Sequence, residues 1–280
     1  MPDFYDALET RDSVLREKQQ FDELKKQLHN ARDHAPAYAA ILADVDIADI
    51  NDRDTLSMIP LTRKSDIAER QGELPPLGGY ATVRMDSFYN VFASPGGIFE
   101  PGAARDDYWN FARGLHAAGI RTGDLIHNTF SYHFTPAGLM VDSAARALGC
   151  PVFPGGIGQT ELQVQVMARL QPRAYCGTPS FLKIILDKAA EMKIRVDTLS
   201  LGLVGGEALP GSLRTELSDS GVDVVQFYGT ADLGMVAYES SAKEGMILEE
   251  KVIVEIVRPG TGEPVTEGEV GEIVVTTLSP

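Results

Sequence analysis

Apolar positions divide the chain into three textures. Over residues 13–33, Leu15, Phe21, Leu24 and Leu28 recur at near-helical spacing among charged residues, which predicts an amphipathic surface helix. His34-Ala35-Pro36 closes it, because the residue before a proline resists the helical conformation. A second short helix is expected over 36–42, and Thr62 is a plausible N-cap for a later one. From Phe88 the pattern becomes strand, loop, helix. Strands are predicted at 89–93, 125–129, 150–154, 174–177, 201–204 and 222–227. Helices are predicted at 106–119, 135–149, 161–170, 179–193 and 210–218, the second of these with Thr135 as N-cap, Pro136 in the first turn and Gly149 at the stop. This alternation predicts an α/β fold of mostly parallel sheets covered by helices. After Tyr238 two β-rich runs, 251–257 and 269–277, flank a Pro-Gly turn and predict an antiparallel hairpin region at the C-terminal end. The expected organisation is a helical segment packed on the core (1–87), an α/β core (88–240) and a β-rich segment (241–280).

Composition narrows the function more than the fold. At 280 residues the chain can bury a sizeable core. A formal net charge of −15 argues against a nucleic-acid partner, which requires clustered Lys and Arg. Any nucleotide would need local donors or a metal, since the global field opposes it. No apolar run approaches the roughly 20 residues a membrane helix needs, and Met1 to Asp6 lacks the basic start and apolar stretch of an export signal. The only two cysteines, Cys150 and Cys176, lie in apolar surroundings and read as reduced thiols. The expectation is a cytoplasmic protein without membrane contact, with a homodimer as the oligomer considered.

Three loops at the carboxyl ends of predicted strands carry the candidate chemistry, since ligands of open α/β sheets bind there. In Ser94-Pro95-Gly96-Gly97 the small residues let backbone N–H groups approach an anion, and a following helix would add its dipole; a plain turn is the other reading. Gly205-Gly206-Glu207 permits a flat ring to approach the backbone, or else places Glu207 as the cap of the next helix. Gln226-Phe227-Tyr228-Gly229-Thr230-Ala231-Asp232 gathers an aromatic, a hydroxyl and a carboxylate. It can stack on a base, bond a phosphate and hold Mg²⁺, or be a turn with Asp232 as N-cap and Tyr228 in the core. Histidines and cysteines show no metal spacing, and no G-x-S-x-G elbow is present.

Taken in order, with Gly155-Gly156-Ile157-Gly158-Gln159-Thr160-Glu161 and Gly177-Thr178-Pro179-Ser180 between them, these loops resemble the phenylacetate–CoA ligases, a family of adenylate-forming enzymes. The resemblance runs from about Ile59 to Thr277 and implies the N-terminal core portion of such an enzyme. It implies activation of an aryl or arylacetic acid by ATP as an acyl-adenylate, then transfer to CoA, with ATP/AMP, Mg²⁺ and CoA as cofactors. By motif, Ser94, Gly96 and Gly97 correspond to the phosphate loop, and Gly205, Gly206 and Glu207 to one side of the adenine slot. Gln226, Phe227, Tyr228 and Gly229 correspond to its other side, with Tyr228 as the stacking ring. Thr230 and Asp232 stand at the catalytic positions, with Asp232 as the metal ligand, and Tyr132, Phe134, Thr135, Pro136 and Gly138 match the lining of the acid pocket. The sequence departs from the family where the phosphate loop normally reads Ser-Ser-Gly-Thr-Thr-Gly-Lys-Pro, and where Ala231-Asp232 replaces a Ser/Thr-Glu pair. The end of the chain after a strand, before the family's ribose-binding Gly-Asp element and mobile C-terminal cap, adds the expectation that this chain is inactive alone. A non-catalytic relative that binds a nucleotide, an acyl-adenylate or a protein partner is the alternative.

Overall fold

The computed structural model describes residues 4–94 and 96–279; Met1 to Asp3, Pro95 and Pro280, and with them part of the expected phosphate turn, lie outside the described residues. Two compact units emerge, and each is discontinuous in sequence: one comprises 6–94 and 96–103 with 250–279, the other 4–5 with 104–249.

The first unit begins with helices α1 (Ser13–His34) and α2 (Pro36–Ile41), which meet at the predicted His34-Ala35-Pro36 break. The side chain of Asp12 caps α1 by accepting from the N–H groups of Val14 and Leu15. Phe21, Leu24 and Leu28 form a buried stripe at the predicted spacing and pack with Leu42, Ile47, Ile50 and Leu56, whereas Leu15, predicted with them, is exposed near the start of the helix. After α3 (Arg53–Leu56), helix α4 (Lys64–Glu73) starts one residue later than a Thr62 cap would place it; Arg63 occupies the N-cap, with no side-chain bond. Strands β1 (Asn90–Ser94) and β2 (Ile98–Gly102) then form an antiparallel hairpin. The turn after Ser94 therefore leads into a strand, and the helix dipole expected there is absent.

The second unit carries the α/β layer. Its first helix, α5 (Ala112–Ala117), is shorter than the predicted 106–119. Asp107 and Asn110 take positive φ (51° and 60°), which breaks the helix upstream, and the Asp107 carboxylate accepts from Ala112 N–H at 2.8 Å. There follow β3 (Ile126–Asn128), α6 (Ala137–Leu148), β4 (Val152–Pro154), α7 (Thr160–Leu170), β5 (Ala174–Gly177), α8 (Pro179–Glu191), β6 (Leu201–Val204), α9 (Gly211–Asp219), β7 (Asp223–Thr230), β8 (Gly234–Glu239) and β9 (Met246–Leu248). Helix α6 stops as predicted at Gly149, which takes the left-handed conformation (φ 78°). Its start differs: Pro136 is the N-cap residue, and Thr135 makes no capping bond.

The seven strands lie in the order β4-β3-β5-β6-β7-β8-β9. Pairing is parallel from β4 to β7 and antiparallel from β7 to β9. All four residues of β5 are buried, as a strand covered on both faces requires. Val164, Met167, Leu182, Ile185, Leu203 and Leu217 are each at most 1% exposed and fill the space around it. The connection from β3 runs to one side of the sheet and that from β5 to the other, so the crevice at their carboxyl ends is a topological switch point.

The last strands, β10 (Val252–Val257) and β11 (Glu272–Thr277), form the predicted antiparallel hairpin and belong to the first unit. Among the described residues, no helix is long and apolar enough to cross a membrane.

Candidate functional site

The carboxyl ends of β3, β5, β6 and β7 bring several predicted residues together. Gly205 and Gly206 follow β6 directly. A Cβ at Gly205 would stand 2.5–2.8 Å from three ring carbons of Phe227, so only glycine lets the chain pass under that ring. Phe227 is held edge-on by Phe111 and Phe130, with ring centroids 4.9 and 5.9 Å away. Gly206 has φ 80° and lies beside the Thr178 methyl and the Phe130 ring. Alternation along β7 buries Phe227 and turns Tyr228 outward, where it is 42% exposed. Tyr228 is therefore not a core residue, and its ring face is available to a flat ligand.

Glu207 does not cap the helix that follows it. Its Oε1 accepts from Ser180 N–H at 2.8 Å, in the first turn of α8, while Pro210 is the N-cap of α9, which has no side-chain cap bond. The carboxylate thus complements the N-terminal dipole of α8 and ties the loop after β6 to the loop after β5. Gln226 is also engaged within the protein. Its side-chain amide and its backbone N–H both donate to the buried carboxylate of Glu239, each at 2.9 Å, and Arg214 binds the same group through two bonds.

Strand β7 ends in a tight connection to β8 rather than in a helix, so Asp232 caps no helix. The Thr230 hydroxyl donates to Asp232 Oδ1 at 2.6 Å, and Asp232 is exposed. Together they offer oxygen donors only, of the type Mg²⁺ prefers. One carboxylate suits an ion that takes its remaining ligands from substrate phosphates and water. Among the described residues, no group of three or more His, Cys, Asp or Glu could hold a metal by itself. Gly229 lies where the β7–β8 register shifts, and a Cβ there would press on the Gly234 carbonyl at 2.6 Å.

The Tyr132 segment leaves the end of β3 at the switch point. Tyr132 is half-buried, Phe134 is 81% exposed, and Pro136 and Gly138 are buried. The Tyr132 hydroxyl donates to Asp142 Oδ1 and accepts from Asn128 Nδ2, both at 2.8 Å. Burial, reinforced by Asp142, holds the Tyr132 hydroxyl well above its ordinary pKa; burial also raises Asp142, against the pull of Tyr132 and Asn128. A Cβ at Gly138 would stand 2.9 Å from both Tyr132 Cδ atoms, so glycine makes room for the ring.

Beside it, the Gly155–Gly158 loop is pinned from within. Gln163 Nε2 donates to the carbonyls of Gly155, Gly156 and Gly158 at 3.0–3.3 Å, which leaves its oxygen to accept from His127 Nε2–H. His127 is fully buried and neutral, burial having pushed its pKa below the ordinary value. Sequence reasoning missed Asn128, His127, Asp142 and Gln163 because their partners lie 4 to 36 residues away; a polar residue inside a predicted buried strand was the available signal.

The predicted phosphate turn lies in the other unit. Gly96 and Gly97 have φ 104° and 78°, and a Cβ placed on either would have nothing within 4 Å. The Ser94 hydroxyl donates to Ile98 O at 3.3 Å, and Gly97 N–H donates to Ser94 O at 3.1 Å. Two of the donors expected for phosphate are thus engaged within the hairpin. Glu100 is buried, so its carboxylate does not project into solvent.

The family of AMP-binding enzymes matches residues 132–279. Among curated proteins, the chain is 31% identical to a phenylacetate–coenzyme A ligase of Aromatoleum evansii over 93% of its own length, and 30% identical to one of Pseudomonas putida over 98%. It spans 62% and 65% of those relatives. Among solved structures, 2-hydroxyisobutyryl-CoA ligase in complex with 2-HIB-AMP superposes with a TM-score of 0.88 at 23% identity, over 96% of this chain and 61% of that one. A long-chain-fatty-acid-CoA ligase from Archaeoglobus fulgidus superposes with 0.55 at 13% identity, over 66% of this chain and 40% of that one. At these identities the structural likenesses establish the fold.

Proposed function

The chain belongs to the AMP-binding enzymes, a family of adenylate-forming ligases, and from that premise we propose that its protein activates an aryl or arylacetic acid with ATP and passes the acyl group to CoA. A carboxylate oxygen of the acid bonds to the α-phosphorus as pyrophosphate leaves, and the CoA sulfur then replaces AMP at the acyl carbon. The observation that carries this reading is the packed surface at the ends of β5, β6 and β7. There a ring can lie on Tyr228 and on backbone thinned by Gly205 and Gly206, against a rigid support of Phe227, Phe130 and Thr178. Thr230 and Asp232 stand at the far end of β7, where the α-phosphate of a nucleotide so held would lie. Mg²⁺, when bound with the nucleotide, would supply positive charge to the phosphates, and Asp232 would be its protein ligand. Tyr132, Phe134, Thr135, Pro136 and Gly138 would line the acid side at the switch point.

One observation favours a second reading, a relative that holds a nucleotide or acyl-adenylate without carrying out chemistry. The Ser94–Gly97 turn has no lysine or threonine, and two of its donors are spent on its own hairpin. Charge-assisted bonds are roughly twice as strong as neutral ones, so any phosphate at this turn would be held weakly. Side-by-side calorimetry of AMP, ATP and a non-hydrolysable acyl-adenylate at fixed Mg²⁺ and salt tests both readings. AMP and the acyl-adenylate should bind, with ATP no tighter than AMP. No binding by any of the three refutes the nucleotide site. A preference for ATP of about tenfold, or about 1.4 kcal/mol, would mean that another basic residue grips the phosphates.

A further inference from the structure

At the switch point, the Tyr132 hydroxyl is engaged so completely that its proton position can be deduced. Asn128 closes β3 and is fully buried. Its side-chain oxygen accepts from Phe130 N–H at 3.1 Å, and its amide nitrogen donates to Gly138 O at 3.0 Å. Both partners are backbone groups whose roles cannot change, so the amide has a single workable orientation. Its second N–H points at the Tyr132 oxygen 2.8 Å away, with Asp142 Oδ1 farther off at 3.5 Å, and because an amide nitrogen does not accept, the tyrosine oxygen does. The tyrosine's own proton is left for Asp142 Oδ1. Asp142 lies one helical turn beyond Gly138 on the same face of α6, so a single helix supplies both the anchor for the hydroxyl and the gap for the ring. Gly156 flanks the ring as well, 3.9 Å from Cδ2 when a Cβ is placed there.

We propose that Asn128 and Asp142 are positioning residues that fix the Tyr132 ring at the switch point and withhold its hydroxyl proton from the ligand, so that this side of the site selects an apolar acyl group and rejects a 2-hydroxyacyl group. The inference rests on the acyl-adenylate reading above. An acyl group placed here meets the ring of Tyr132 and the backbone of Gly138 and Gly156, whose N–H and C=O groups are already bonded within the protein. A hydroxyl on that group would lose water without gaining the Tyr132 proton, and an unsatisfied buried hydroxyl weakens binding by about tenfold or more. The proton is withheld by one carboxylate, so removing that carboxylate should release it.

The test uses the 280-residue chain and three ligands: AMP, a sulfamoyl-adenosine analogue carrying an arylacetyl group, and one carrying a 2-hydroxyalkanoyl group. The native chain should bind the arylacetyl analogue more tightly than AMP, and the 2-hydroxy analogue no more tightly than AMP. Asp142→Ala should leave AMP affinity unchanged, reduce the preference for the arylacetyl group about tenfold, and strengthen binding of the 2-hydroxy analogue. That gain should vanish in Asp142→Ala/Tyr132→Phe, where no hydroxyl remains to be freed. Tyr132→Phe alone removes one oxygen and guards against a misfolded Asp142→Ala. It should leave the 2-hydroxy analogue unchanged, whereas a loss there would show that the native hydroxyl reaches the ligand and would overturn the proposal. An Asp142→Ala chain weakened equally for all three ligands, or unchanged for all, also overturns it. A native chain that binds AMP but prefers neither acyl analogue overturns the acyl reading together with this inference.

Discussion

Gly205→Ala tests whether the wall under the candidate nucleotide is as tightly built as its geometry implies. The new methyl would begin 2.5 Å from Phe227 Cε1 and 2.6 Å from Cζ, well inside van der Waals contact, so the ring must move by about an ångström. It cannot swing freely, because Phe111 and Phe130 meet its edges. Overpacking of this kind costs about 1–3 kcal/mol of stability. Gly206→Ala provides the control next door. Its Cβ would find no atom closer than 3.7 Å, so its cost is the left-handed backbone alone, about 1–2 kcal/mol. Urea unfolding monitored by circular dichroism gives the stabilities, and calorimetry with AMP gives the functional cost. Gly205→Ala should lose more of both than Gly206→Ala. Phe227→Leu should relieve the crowding, so that the double variant is more stable than additivity allows by at least about 1 kcal/mol. Additive behaviour would mean that the ring and the glycine do not compete for space, and the account of the wall would fail.

Two further outcomes are expected. Tyr228→Ala should weaken AMP binding by about 1–3 kcal/mol, the range for base–aromatic stacking, with little loss of stability because the ring is exposed; normal AMP affinity in that variant would remove Tyr228 from the site. Burial raises the pKa of Asp107 from 3.8 to about 6, so the folded state holds this proton more firmly than the unfolded one. Its contribution is fully present below pH 3.8 and is lost as pH rises through about 6, a change of about 3 kcal/mol at 1.36 kcal/mol per pH unit. Asp107→Asn, which keeps an acceptor for Ala112 N–H, should therefore stabilise the protein at pH 8 relative to the native chain and not at pH 4. Parallel changes at the two pH values would contradict this.

The layered α/β architecture was legible because periodicity and loop chemistry agree over most of the chain. The α1 stripe, the Gly149 stop, the parallel run of strands and the final hairpin all follow from local pattern. The errors share a cause, which is that local pattern cannot see a distant partner. Residues 106–111 look helical, yet Asp107 takes positive φ and its carboxylate accepts from the N–H of Ala112, the first residue of α5. Strand β8 was not predicted, because its pairing with β7 is decided by a connection that reads equally well as a helix start. For Glu207 the sequence offers the helix beside it as one of two readings, whereas the N–H it binds lies 27 residues earlier. Candidate loops could be picked out by composition. Which side chains in them remain available to a ligand depended on tertiary bonds, and Gln226, spent on Glu239, differs in this from its exposed neighbour Tyr228.

The bond from Glu207 to Ser180 has a mechanical meaning. Loops after neighbouring strands ordinarily flex independently, each on its own tether, but here one carboxylate rivets the loop after β6 to the rod of α8. That rod is 13 residues long and is seated on the buried core through Leu182, Ile185 and Ala189, so the loop inherits the stiffness of a whole helix. A ligand resting on Gly205 and Gly206 would meet an anvil rather than a cushion, and little of its binding energy would be consumed in quieting the surface beneath it.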